Sequence, residues 1–161
     1  LDFAENHHQI IESSDQLIII ETGGMKGRKE EMTKDELLKI FHKGFGTDKI
    51  YSEYSMTELL SQAYSLGQNI YDCPNWMRIL IRNTEDPFSY LEAGRNGAIN
   101  IIDLANRHSC SFIATQDLGR IVPDSEILRN DQNDQKLLSK PFQVLGRIDH
   151  SDIRGCSLLV S

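Results

Sequence analysis

The chain has little cysteine, no excess of positive charge and no long hydrophobic run, and each shortage removes a class of function. Its three cysteines are Cys73, Cys110 and Cys156. Their odd number and wide spacing give neither a disulfide framework nor a zinc site, so a reducing, cytoplasmic setting is the expectation. Seventeen Lys and Arg stand against twenty-four Asp and Glu, a net charge of -7. That balance disfavours a protein whose main task is holding nucleic-acid phosphates or anionic membranes. The longest apolar run, residues 17–20, is far short of the roughly 20 residues that cross a bilayer, and no membrane span is expected. Residues 1–14 hold no basic start followed by an apolar stretch, so neither a signal nor a transit peptide is expected there. His7, His8, His42, His108 and His150 show no metal-ligand spacing.

The 161 residues suffice for one domain, or a domain with a small appendage, with a real core. "QLIIIE" at 16–21 reads as a buried strand closed by Gly23 and Gly24. Thr33 and Glu36 form a capping-box pattern, and Leu37, Leu38, Phe41 and Phe45 recur at helical spacing, which predicts a helix over 34–45 stopped by Gly44 and Gly46. "KIYSEY" at 49–54 predicts a second strand, and the apolar-rich stretch near 56–65 a second helix. Strand, helix, strand, helix is the alternation of α/β organisation with parallel strands. From Trp76 onward the expected strands are short: 77–82, 98–104, 111–115, 119–122 and 142–147, separated by turn-forming clusters. The polar stretch 128–136 suits a hairpin tip or loop. The predicted fold class is therefore mixed α/β, an α/β part over 1–75 followed by a small, mostly β, distorted-barrel part over 76–161.

Single candidate sites each carry two readings. Gly23 and Gly24 let a flat ligand approach the backbone, or simply make a turn. Tyr54, Thr57 and Glu58 in "YSMTE" place hydroxyls and a carboxylate at a strand end, where α/β proteins bind ligands. Ser55 and Glu58 equally spell a second capping box and a helix start. Asp117, expected in a loop between two short strands, suits a ribose diol or an ordinary turn. Arg147 after Gly146 suits a phosphate or ribose contact, or a surface turn.

The order of these elements is more specific than any one of them. Strand-"GG", "YSMTE", "TQDLGR" and, about thirty residues on, "GRIDHSDIRG" resemble the second half of the adenylate-forming acyl-ligase superfamily, with its "GGE", "YGxTE", "TGD" and "GRxDxxIKxRG" motifs. "ETGGMKGRKEE", "EYSMTELLSQAY" and "DIRGC" look most like the acyl-protein synthetases of luminous bacteria, the long-chain-fatty-acid protein ligases. The resemblance runs from about Gln16 to Gly155. It implies that Gly23 and Gly24 line adenine, Tyr54 flanks it, Thr57 meets a phosphate, Glu58 holds Mg²⁺, Asp117 takes the ribose hydroxyls and Arg147 contacts ribose or phosphate. It also implies ATP as co-substrate, a fatty acid as the acid activated, Cys156 as the thiol that carries the acyl group, and an acyl-reductase partner protein; from its place six residues before Cys156, His150 is read separately as a base beside it. Cys73 and Cys110 are read as structural.

Three departures stand out: Ser55 and Gln116 replace motif glycines, and Ile153 replaces the lysine before "RG". The Ser/Thr/Gly-rich phosphate loop that precedes these motifs in the superfamily is missing. The expectation is the C-terminal portion of a longer enzyme, ending in a truncated hinge and inactive by itself. An acyl-CoA ligase of the phenylacetate type and a non-catalytic nucleotide- or partner-binding domain are the alternatives.

Overall fold

The structure is a computed structural model, and it describes residues 17–22, 34–67, 69–127 and 139–148. Gly23, Gly24, the capping-box Thr33, the polar stretch 128–136, Asp149, His150 and Cys156 lie outside the described residues, as do His7 and His8.

The β-branched run at the start forms β1 (Ile19–Glu21), and α1 (Lys34–Phe45) lies between it and β2 (Ile50–Tyr54). β1 and β2 pair in parallel, Ile19 opposite Ile50 and Glu21 opposite Ser52, so the three elements form a β-α-β unit. α1 ends as its glycines dictate. Gly46 sits at φ 64° and its N–H donates to the His42 carbonyl at 2.9 Å, a left-handed cap that a side chain would strain. Phe41 and Phe45, one turn apart, bring their ring centroids to 6.0 Å.

The expected second helix does not form. Residues 56–62 run as turn and irregular chain, and β3 (Ala63–Ser65) then pairs antiparallel with β2, completing a sheet of order β1-β2-β3. A helix would have needed its own carbonyls for the N–H groups of this stretch. Here the Asp103 carboxylate takes the N–H groups of Leu60 and Ser61 at 2.9 and 3.0 Å, and the Asn106 amide donates to the Glu58 carbonyl at 2.6 Å. Partners from elsewhere in the chain therefore replace the ladder that helical periodicity implied.

The second unit is an antiparallel sheet of order β4-β8-β7-β6-β5, formed by β4 (Ile70–Tyr71), β5 (Met77–Arg82), β6 (Gly97–Asp103), β7 (Phe112–Ile121) and β8 (Phe142–Arg147). The fold is mixed α/β, and this sheet curls into a half-barrel. The strands expected at 111–115 and 119–122 are one strand, β7. Its pairing with β6 shifts register so that residues 115–117 face Ile99 alone, the irregularity that read as a loop, and its pairing with β8 shifts between Leu118 and Gly119. Gly119 permits the crowding there: a Cβ would lie 2.5 Å from the Gln143 carbonyl and 2.7 Å from the Ile99 side chain.

Both sheets share one core. Tyr54, Leu59 and Ala63 from the first unit pack with Tyr71, Cys73, Met77, Ile79, Ile81, Ile99, Ile101, Phe142 and Val144 from the second. Among the described residues no helix is long and apolar enough to cross a membrane.

Candidate functional site

Alternation along β2 buries Ile50, Ser52 and Tyr54 and turns Tyr51 and Glu53 outward. Tyr54 is only 7 % exposed. Its ring meets Tyr71 and Phe142 edge to face, with centroids 6.1 and 5.5 Å away. Its hydroxyl donates to Asp117 Oδ2 at 2.8 Å, joining two motifs 63 residues apart. Burial above all, then the Asp117 carboxylate, hold the Tyr54 phenol well above its ordinary pKa of 10.0, while Thr115 beside it works the other way. The phenol is thus a proton donor throughout the neutral range.

Asp117 sits inside β7 rather than in a loop, and it is 5 % exposed. Its N–H donates to the Thr115 hydroxyl at 3.1 Å, and that hydroxyl donates to the Ile99 carbonyl at 2.8 Å. The backbone beneath the carboxylate is therefore fixed to the neighbouring strand. Arg147, the last residue of β8, is the register partner of Asp117. Gln116 uses its side-chain oxygen to accept from Arg147 Nη2 at 3.2 Å, while its carbonyl accepts the Ile148 N–H at 2.9 Å. Gln116 thus tethers the arginine.

Thr57 and Glu58 lie in the turn directly after β2 and are exposed. No helix follows, so the capping-box reading of Ser55 and Glu58 falls; the Ser55 hydroxyl instead donates to Glu53 Oε1 at 2.7 Å. Asn106 fixes this turn through the Glu58 carbonyl, leaving the Glu58 side chain at the surface. Tyr54, Asp117 and Arg147 are brought to one junction between the sheets, with Thr57 and Glu58 in the turn beside it. Among the described residues no group of three or more His, Cys, Asp or Glu is placed to hold a metal ion.

Asp103 is the residue sequence reasoning missed. It is fully buried at the end of β6. It accepts from the N–H groups of Leu60, Ser61 and Ala105 and from the Ser61 hydroxyl, the last at 2.6 Å. Burial alone would raise its pKa, but these donors outweigh it and hold the carboxyl below its ordinary 3.8. The one available signal was an acidic residue closing the apolar run "AINIID". Of the cysteines read as structural, Cys73 is buried, and burial pushes its thiol up to about 12. Cys110 is exposed, with its sulfur 3.1 Å from the Phe112 carbonyl.

No family model and no curated protein matches the chain. Among solved structures, it is similar to a luciferase-like enzyme from the nonluminescent mealworm Zophobas morio, at 16 % identity and TM-score 0.44, over 73 % of this chain and 30 % of that one. It is also similar to the apo structure of MbtA from Mycobacterium smegmatis, at 15 % identity and TM-score 0.48, over 89 % of this chain and 27 % of that one. The chain therefore spans less than a third of either structure, and the geometry of its own residues carries the functional reading.

Proposed function

We propose that the chain is the C-terminal portion of an ATP-dependent, fatty-acid-activating ligase, an acyl-protein synthetase, and that the junction between its sheets receives the adenylate. The observation that supports this reading best is the Tyr54–Asp117 hydrogen bond. It unites the "YSMTE" and "TQD" motifs across a sequence separation of 63, with Arg147 directly across the strand pair. A carboxylate in that position is chemically suited to a ribose diol, and a guanidinium to a phosphate.

In this proposal Asp117 accepts from the ribose hydroxyls, Arg147 contacts ribose or phosphate, Thr57 meets a phosphate, and Gly23 and Gly24 line the base. A single exposed carboxylate, Glu58, fits Mg²⁺ carried in on the nucleotide phosphates, because that ion commonly keeps its waters and takes only one or two protein oxygens. When bound, the ion would neutralise phosphate charge. The fatty carboxylate oxygen bonds to the α-phosphorus as the bond to pyrophosphate breaks, giving acyl-adenylate. The Cys156 thiolate then attacks the acyl carbonyl, AMP leaves, and the thioester awaits an acyl-reductase partner.

The test uses the intact gene product with ATP, Mg²⁺ and a labelled fatty acid. The proposal expects a hydroxylamine-sensitive label on the protein that Cys156→Ser abolishes while ATP–pyrophosphate exchange continues. Label retained in that variant removes the carrier role. Undiminished acyl-CoA synthesis by the variant would establish coenzyme A as the acceptor instead. Absence of exchange with every acid tried would reduce the chain to a binding domain.

A further inference from the structure

Tyr54 has the position of a ligand-facing aromatic in the motif, yet its ring lies in the core and only its hydroxyl reaches the candidate site. The ring is pinned by Tyr71 and Phe142, so the phenolic oxygen has one location. From there it donates to Asp117 Oδ2 at 2.8 Å. A further constraint on Asp117 acts on its backbone, through Thr115 and Ile99. A carboxylate's terminal torsion is broad and roughly two-fold, so a fixed backbone alone does not set the direction of its oxygens. A donor on one oxygen does.

We propose that Tyr54 is a positioning residue for nucleotide selection: its hydroxyl holds the Asp117 carboxylate in the rotation that meets a 2′,3′-diol. This inference rests on the ribose role given to Asp117 under the proposed function. A carboxylate already oriented loses no torsional freedom when the diol arrives, and that saving is made only with ligands that carry the diol. The phenol remains protonated as the role requires, because burial and the carboxylate both oppose its ionisation. The departure of Gln116 from glycine supports the same division of labour. Gln116 restrains Arg147 at 3.2 Å, while Tyr54 restrains Asp117.

The test is the affinity of the intact protein for AMP and for 2′,3′-dideoxyAMP, measured by calorimetry in the unaltered protein, in Tyr54→Phe and in Asp117→Asn. The unaltered protein is expected to prefer AMP by more than about tenfold, as a site built to hydrogen-bond hydroxyls should. Tyr54→Phe is expected to weaken AMP about tenfold and leave dideoxyAMP unchanged, so that the preference largely disappears. Equal weakening of both ligands would make Tyr54 a structural residue only, and unchanged affinities would give it no role; either overturns the inference. Loss of preference in Asp117→Asn, with preference kept in Tyr54→Phe, leaves the ribose reading standing and removes the inference alone. Equal binding of the two nucleotides by the unaltered protein removes both. Replacing Tyr54 with 4-aminophenylalanine keeps ring and donor and should preserve the preference. This second variant decides the question if Tyr54→Phe does not fold, since a lost preference there counts against the inference.

Discussion

Two buried carboxylates on the half-barrel reach toward the same stretch of chain, residues 54–61, and they are held in different ways. Asp103 is enclosed by three backbone N–H groups and a serine hydroxyl. Asp117 is met by a tyrosine whose ring belongs to the core. The first arrangement replaces water with donors from the chain itself and holds the carboxyl below its usual pKa; its business is to shape the loop. The second uses a side-chain donor on a fixed ring, which orients a carboxylate at the mouth of two sequence motifs. Under the proposed function, the difference separates a carboxylate that maintains the fold from one that meets a ligand.

The largest expected effect comes from Asp103. Asp103→Ala leaves the donors of Leu60, Ser61 and Ala105 without their acceptor and should cost about 3 kcal/mol in urea unfolding at pH 7. A cost below about 0.5 kcal/mol, the ordinary range for a surface change, would erase the distinction drawn between the two acids. Next in size is Gly119→Ala, two residues beyond Asp117, where the new Cβ meets the Gln143 carbonyl and Ile99. It should destabilise by about 2 kcal/mol through overpacking, by the same amount at every pH, since no titrating group is removed.

Titration sharpens the contrast from both ends. The Asp103 carboxyl is depressed in the folded state, so its contribution is fully present above the unfolded value of 3.8 and is lost as pH falls through the lower folded value. Asp103→Asn should flatten this acid limb of the stability profile. Cys73 and Tyr54 act at the alkaline end. Their folded values lie above the unfolded ones, so each contribution is complete below the unfolded pKa and declines as rising pH ionises the unfolded chain. For Cys73 the decline runs from pH 9.0 to about 12, and for Tyr54 it begins at 10.0. Cys73→Ala should therefore delay the onset of alkaline destabilisation by about one pH unit, read by urea unfolding at successive pH values. Tyr54→Phe, the smallest of these effects on stability, should cost about 1 kcal/mol at pH 7.

What the sequence discloses about this molecule tracks the range of the forces involved. α1 occupies 34–45 as its apolar spacing implies, and β5 and β8 occupy 77–82 and 142–147 as their alternation implies. These elements obey local pattern because burial of one face decides them. The 56–65 stretch carries helical periodicity too, yet Asp103 and Asn106, more than forty residues away, supply hydrogen-bond partners that no local pattern contains. β7 was legible in halves: Gln116 and Asp117 look like a loop, and the register shift against β6, where residues 115–117 face Ile99 alone, explains how a strand accommodates them. The residues of the proposed site come from motif order, and the structure brings Tyr54 and Asp117 into contact. The inward packing of the Tyr54 ring was not legible, because it depends on Tyr71 and Phe142 arriving from two other strands.

The central claim is that the Asp117 carboxylate, set between the sheets, takes the ribose of an adenine nucleotide. The most direct measurement is equilibrium titration of AMP into the intact protein and into Asp117→Ala, with folding of both verified by circular dichroism. The account predicts binding at least about tenfold weaker in the variant, or about 1.4 kcal/mol. Superimposable isotherms would contradict it.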